Sequence, residues 1–116
     1  MQLAFVETAV FTKRCVALGL EEPLCRLQEI LLEAPGIGDL DPGTGGLRKA
    51  RMPDPGRGKG TRGGARVHYL WLPHVAMIYL IFVYAKDDQS RLSSSQRRVL
   101  AQVVRRIKAE YSGRLS

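Results

Sequence analysis

The stretch between Gly43 and Lys86 holds the side chains of this sequence that are best suited to chemistry. It contains eight Lys or Arg residues and one acid, Asp54. Paired-carboxylate catalysis and metal-ion chemistry therefore have few candidate groups in this stretch. If the chain is an enzyme, its charged groups are mostly cationic, and its reaction is one in which negative charge is the main thing to stabilise.

The familiar catalytic motifs do not identify an active site in this sequence. The sequence has two histidines, His68 and His74, and no HExxH, GxSxG or Walker lysine motif. Residues 58–63 match the dinucleotide pattern GxGxxG, but that pattern binds a pyrophosphate only between a strand and a following helix. Here a strand is predicted to follow. We therefore interpret the glycines as allowing a close backbone approach or loop movement, and we expect no cofactor.

Positive charge is segregated along the chain. Residues 1–41 carry seven acids against three bases, residues 42–86 carry one acid against eight bases, and residues 87–116 carry three against seven. Clustered cations gain free energy by releasing the counterions of a phosphate backbone. The distribution thus indicates a polyanionic partner more clearly than the net charge of +7 does.

The elements that must position these cations form an α+β pattern. Two apolar runs rich in Val, Ile, Tyr, Phe and Trp, 65–72 and 75–85, predict a hairpin with a tight turn at Pro73 and His74. A glycine-rich loop over 53–64, expected to be mobile, precedes this hairpin. Before the hairpin, the patterns predict a strand over 3–7, a helix over 8–18, a second helix that begins near Pro23 and ends at Pro35, and a strand over 47–52. After the hairpin, they predict a last helix, which begins with a capping box at Ser93 and Gln96 and ends near Tyr111.

We therefore predict a single α+β domain over residues 1–116, a small antiparallel sheet with two N-terminal helices packed on it and a C-terminal helix. The spacing of Cys15 and Cys25 matches no zinc or redox motif, so both are predicted to be reduced and core-facing. No apolar run reaches the roughly 18 residues that cross a bilayer. Glu7 interrupts the short N-terminal apolar run, which lacks the pattern of a secretion signal. We expect a cytoplasmic protein with no membrane partner.

Several segments, in order and at suitable spacing, resemble the RelE/HigB family of bacterial type II toxins, in particular its HigB-type branch. The most specific are GTGGLRKAR at 43–51, GRGKGTRGGARVHY at 56–69 and MIYLIFVYAK at 77–86. FVET, FTKR and the terminal LSSSQRRVL also resemble that branch, so the resemblance covers about residues 5–105. It implies a RelE-like fold.

The resemblance also implies a function. Members of this family are ribosome-dependent mRNA endonucleases (mRNA interferases) that inhibit translation, and a cognate antitoxin, here expected to be of helix-turn-helix type, neutralises them. In that family the 2′-hydroxyl of the RNA attacks the adjacent phosphate, leaving a 2′,3′-cyclic phosphate and a 5′-hydroxyl. The residue inventory fits this chemistry, since it needs a base, an acid and cations around a developing phosphorane, but no metal and no protein nucleophile.

Matching the family motifs residue by residue gives the candidate catalytic groups. Arg66 is assigned to transition-state stabilisation, because a guanidinium holds two phosphate oxygens at once and stays charged. Lys86 is a second phosphate-binding or acid position. Tyr84, two residues earlier on the same strand face, stacks on a base or donates a hydrogen bond. In the basic loop, Lys59 or Arg62 acts as the base if neighbouring cations lower its pKa, and these roles are exchangeable.

Two interpretations remain open for the other candidates. His68 shares a strand face with Arg66 and is either a general acid or base or a half-buried strand histidine. The basic triplet at 48–51 lines the mRNA or contacts ribosomal RNA, or else forms a solvated edge. The cations expected to bind RNA are Arg48, Lys49, Arg51, Arg57 and Arg62.

A non-catalytic protein of the same fold, which binds RNA or an antitoxin and cleaves nothing, is the main alternative. A DNA-binding accessory domain is a third hypothesis. It is disfavoured because no helix-turn-helix is evident and the positive charge peaks on a loop and a sheet.

Overall fold

The computed structural model describes residues 2–115, with side chains up to Ser112. Short 3₁₀ turns lie at Pro55–Arg57 and Pro73–Val75. The strands and helices, in chain order, are β1 (Ala4–Glu7), α1 (Ala9–Ala17), α2 (Glu21–Glu33), β2 (Asp39–Leu40), β3 (Arg48–Met52), β4 (Ala65–Leu72), β5 (Met77–Ala85) and α3 (Ser94–Leu115).

The five strands form one open sheet in the order β1-β5-β4-β3-β2. The predicted α+β class, with helices packed on a small sheet around the β4–β5 hairpin, is confirmed. The sheet is mixed and not wholly antiparallel as predicted, because β1 pairs with β5 in parallel while the other three pairs are antiparallel. Parallel strands require a long crossover connection, and here everything from α1 to β4 lies between the two partners.

The alternation of side chains along β4 supplies a separate apolar core on each face of the sheet. Val67 and Tyr69 pack with buried residues of α1 and α2. Leu70 and Leu72 pack with buried residues of α3, among them Val104. Successive side chains of a strand point to opposite faces, so one strand holds the helices of both sides in place.

Side chains cap the beginnings of two of the three helices, α1 and α3. The Thr8 side chain accepts a hydrogen bond from the Phe11 amide at 3.2 Å. At α3, the Gln96 amide donates to Ser93 Oγ at 3.1 Å, and the Gln96 side chain accepts from the Ser93 amide at 2.9 Å. This reciprocal pair is a capping box, and it satisfies two backbone donors that would otherwise lack partners.

Three local features differ from expectation. β2 lies in the segment after α2 that was expected to be a connector. The glycine-rich loop contains a 3₁₀ turn and a backbone bridge between Asp54 and Lys59. Cys15 is buried as predicted, but Cys25 is exposed, because it lies on the outer side of α2. Burial raises the pKa of the Cys15 thiol to about 11, and Glu7 adds to the shift.

Within residues 2–115, no helix combines the length and the apolar character needed to cross a membrane.

Two fully buried tyrosines on neighbouring strands make opposite use of their hydroxyl groups. Tyr69 donates a hydrogen bond to the Pro35 carbonyl at 2.7 Å and accepts one from the Gly38 amide at 3.0 Å. It thereby ties the segment that leads into β2 to the centre of the sheet. The hydroxyl of Tyr84 is buried without a hydrogen-bond partner among the described residues.

We expect Tyr69→Phe to lower the free energy of unfolding by about 1–2 kcal/mol, because it strands a carbonyl and an amide away from water. Tyr84→Phe is the matched control and should be neutral or slightly stabilising, since it removes an unsatisfied polar atom. Urea denaturation of both variants measures the difference. Equal losses in the two variants would contradict the expectation.

Candidate functional site

Four of the eight predicted cations of the central stretch lie on one face of the sheet. Arg66 on β4 lies directly opposite Arg51 on β3 and Tyr84 on β5. Lys49 on β3 likewise lies opposite His68 on β4. Residues paired across neighbouring strands point to the same face, which places these five side chains together. We call the four cations of this face, Lys49, Arg51, Arg66 and the Lys86 that follows β5, the basic face.

Arg66 and Lys86 converge on a single oxygen atom. The Arg66 Nη2 atom donates to the Arg62 carbonyl at 2.7 Å, and the Lys86 Nζ atom reaches the same oxygen at 3.2 Å. Arg66 Nη1 donates to the carbonyls of Ala65 at 3.0 Å and Thr61 at 3.3 Å. The shared oxygen occupies the position that an oxygen of a bound anion would take between the two cations.

Arg66 is 6% exposed, and all three of its hydrogen bonds go to carbonyl oxygens. Burial lowers the pKa of its guanidinium, and the neighbouring Arg51 lowers it further. Both effects mean that the positive charge of Arg66 is poorly compensated in the folded protein. A buried cation without a carboxylate partner gains more from an anionic ligand than a solvated one does.

His68 belongs to a buried network below the basic face. Its Nε2 atom lies 2.9 Å from Asp41 Oδ2, and the other oxygen of Asp41 accepts a hydrogen bond from Arg97 on α3. The His68 ring stacks on that of Tyr84, with centroids 5.8 Å apart. The network therefore connects the segment after β2, the middle of β4 and the first turns of α3.

The network sets the protonation of its members. Burial lowers the pKa of His68, although the hydrogen bond and charge of Asp41 oppose the shift. For Asp41, burial alone would raise the pKa of the carboxyl, but the hydrogen bonds from Arg97 and His68 outweigh it and lower the pKa. His68 is thus neutral near pH 7, with Nε2 as the donor to the ionised Asp41.

Acidification should therefore destabilise the fold in part through His68. Because its pKa is lower in the folded than in the unfolded chain, the unfolded chain takes up the proton first. The free energy of unfolding then falls as the pH drops below about 6.5. We expect His68→Gln to flatten this dependence in urea denaturation series. His74→Gln, at an exposed histidine in the β4–β5 turn, is the matched control. Identical slopes in both variants would refute the assignment.

Tyr84 lies between this network and Arg66. Burial raises the pKa of its hydroxyl, and the charge of Arg66 opposes the shift. The hydroxyl is therefore protonated near pH 7 and is a hydrogen-bond donor without a protein partner among the described residues. Chemically, it is suited to donate to an anionic oxygen held by Arg66.

The remaining predicted cations lie in the loop before β4 or on the other face of the sheet. Lys59 and Arg62 lie exposed in the loop before β4. Arg57 lies in the same loop, within 3.6 Å of Asp54 and 3.4 Å of Asp88. Arg48 lies on the opposite face of β3 from Lys49, where it donates to the carbonyls of Gly36 and Gly38. The structure thus does not bring Arg48 to the basic face.

Asp41 and Arg97 are the members of this region that sequence reasoning missed. They lie 27 residues before and 29 residues after His68 in the chain. Neither belongs to a motif, and an Asp in a connector or an Arg on a helix surface is ordinary. Only the tertiary structure shows that both contact a buried histidine.

Among the described residues, no group of three or more His, Cys, Asp or Glu side chains is arranged to hold a metal ion. No protein-family model matches the sequence. The arrangement of three helices on a five-stranded mixed sheet is compatible with the RelE-like fold that the resemblance implies.

Proposed function

We propose that this chain is an mRNA interferase of the RelE/HigB type, an endonuclease that cleaves mRNA in the translating ribosome. The observation that carries the proposal is the convergence of Arg66 and Lys86 on one oxygen atom at the end of the β4–β5 hairpin. Two cations that share an acceptor form a site for a phosphate oxygen. Lys49 and Arg51 extend the positive charge along the sheet, as a polyanionic substrate requires.

The chemistry proposed for this site is an attack by the RNA on itself. The 2′-oxygen bonds to the adjacent phosphorus and loses its proton to a base, for which Lys59 and Arg62 are the exchangeable candidates. The bond from phosphorus to the 5′-oxygen breaks, and that oxygen takes up a proton, so that the products are a 2′,3′-cyclic phosphate and a 5′-hydroxyl. Arg66 stabilises the charge that develops on the phosphorane, and Lys86 is the second cation or the acid.

Tyr84 and His68 have different places in this proposal. The hydroxyl of Tyr84, which is buried and has no hydrogen-bond partner among the described residues, donates to the phosphorane or orients the scissile nucleotide once substrate binding exposes it. His68 is fully buried and its Nε2 atom is engaged by Asp41. This favours the strand-histidine interpretation over a general acid or base, since a proton-transfer group must reach the substrate.

A second candidate is a protein of the same fold that binds RNA or an antitoxin without cleaving. The hydrogen bonds of Arg66 to the Thr61, Arg62 and Ala65 carbonyls favour it, because they occupy the guanidinium with main-chain oxygens. For catalysis, a substrate phosphate must replace the carbonyls of the loop. In the proposed function the partners are therefore the ribosome with its mRNA and a neutralising antitoxin, which we expect to be of helix-turn-helix type.

Primer extension on an mRNA translated in a cell extract tests the proposal. With wild-type protein we expect new 3′ ends at positions linked to codons, and none on the same mRNA when translation is blocked before initiation. Binding to ribosomes or RNA without any new ends would replace the nuclease with the second candidate. Neither binding nor cleavage would contradict both.

A further inference from the structure

A groove between α1 and α3 lies outside the basic face. It has a volume of about 310 Å³ and is bounded by Thr8 and Val10 on one side and by α3 on the other. Ile81 and Phe82 of β5 form its floor. Ser95, Gln96, Val99, Leu100 and Val103 of α3 complete the lining.

Both rims of this groove carry apolar side chains that are exposed to solvent. Val10 is 55% exposed and Val99 is 57% exposed. The apolar surface continues along the outer side of α1, where a second depression is lined by Val10 and Val16. Contiguous exposed apolar surface of this kind marks interaction sites, whereas single exposed valines do not.

Cations flank the apolar lining. Lys13 is exposed beside Val10 on α1. On α3, Arg98 and Arg106 are exposed and lie three residues after Ser95 and Val103, so each is a neighbour of a lining residue on the helix surface. The acid beside the groove in sequence, Glu7, accepts a hydrogen bond from Thr12 at 2.8 Å. Up to Ser112, α3 carries five cations and one acid, Glu110.

We propose that this groove binds an amphipathic helix of a partner protein whose polar face is acidic. The apolar ridge of such a helix would fill the space above Ile81 and Phe82, as in helix-in-groove recognition. Its carboxylates would meet Lys13, Arg98 and Arg106 at the rims, where complementary charge sets orientation and rate of association. The proposal does not depend on whether the chain cleaves RNA.

Two other occupants fit the groove less well. A second copy of this chain would bring cationic rims against cationic rims, and like charges across an interface are unfavourable. An anionic membrane would attract the rims, but proteins bind bilayers by inserting protruding apolar side chains. Here the apolar floor is recessed between two helices, which suits a protruding ridge.

Two labelled synthetic peptides of about 18 residues test the proposal, both with Leu at the i, i+3, i+4, i+7 spacing of one helical face. One carries Glu at the remaining positions and the other carries Lys. By fluorescence anisotropy at fixed ionic strength, we expect the Glu peptide to bind at least about 10-fold more tightly. Amide chemical shifts on titration should change at the residues that line the groove.

Val99→Asp should weaken binding of the Glu peptide by about 10-fold or more, because it places a carboxylate in the apolar seam. Ile37→Asp is the matched control, since Ile37 is 58% exposed and lies in the segment after α2, away from the groove. It should bind as wild type does. Equal affinity for both peptides, no binding of either, or equal losses in the two variants would overturn the proposal. So would binding to phosphatidylglycerol vesicles that Val99→Asp abolishes while neither peptide binds.

Discussion

Arg66→Ala is expected to lower codon-linked mRNA cleavage by about 100- to 1,000-fold, the effect of removing one preorganised group that stabilises developing charge. The buried guanidinium lies beside Lys86 and opposite Arg51, and its planar pair of donors can hold two phosphate oxygens at once. Arg66→Lys should recover little of the activity, because an ammonium retains the charge but lacks the planar pair of donors. Primer extension with the two variants and wild-type protein measures both effects.

Arg48→Ala separates loss of chemistry from loss of structure. Arg48 also donates to two main-chain carbonyls, but on the opposite face of the sheet. We expect its cleavage activity to stay within about twofold of wild type after correction for stability. Thermal unfolding of each variant shows whether the fold is retained. If both variants retain the fold and lose cleavage activity equally, Arg66 does not stabilise the transition state.

Much of the fold follows from local signals in the sequence. Thr8 and the Ser93–Gln96 box begin helices because their side chains satisfy backbone donors that the first turn leaves free. The alternation along β3 places Lys49 and Arg51 on one face and Arg48 on the other, since neighbours in a strand point to opposite faces. The same period places Arg66, Tyr84 and Lys86 together once β4 and β5 pair in register.

Long-range pairing could not be obtained in this way. The parallel partner of β1 depends on where the chain returns after α1 and α2, which no local pattern records. β2 is two residues long and depends on the Tyr69 hydroxyl, a contact across 31 residues to Gly38. The Asp41–His68–Arg97 network joins three separate segments, so sequence reasoning could identify His68 but neither of the residues that fix its state.

Asp41→Ala is expected to cause the largest loss of stability among the polar substitutions, about 3 kcal/mol, or roughly 10 °C in Tm. The side chain of Asp41 is 10% exposed, and its two oxygens hold His68 and Arg97. Without the carboxylate, the fully buried ring of His68 loses its hydrogen bond, and Arg97 keeps only the Pro42 carbonyl. Most of the lost stability therefore comes from His68 and Arg97, which each lose a hydrogen-bond acceptor, and less from the lost electrostatic attraction to the carboxylate.

Asp39→Ala is the matched control for this loss, because Asp39 is an exposed acid of the same type two positions earlier. Its free energy of unfolding should change by less than about 0.5 kcal/mol. Asp41→Asn, which keeps the size but not the charge, should lie between the two, since an amide has one acceptor oxygen for two donors. A double-mutant cycle of Asp41→Ala with His68→Gln measures the coupling directly. Additive losses would mean that the two side chains are neighbours without a shared contribution, and the pH dependence assigned to His68 would then need another source.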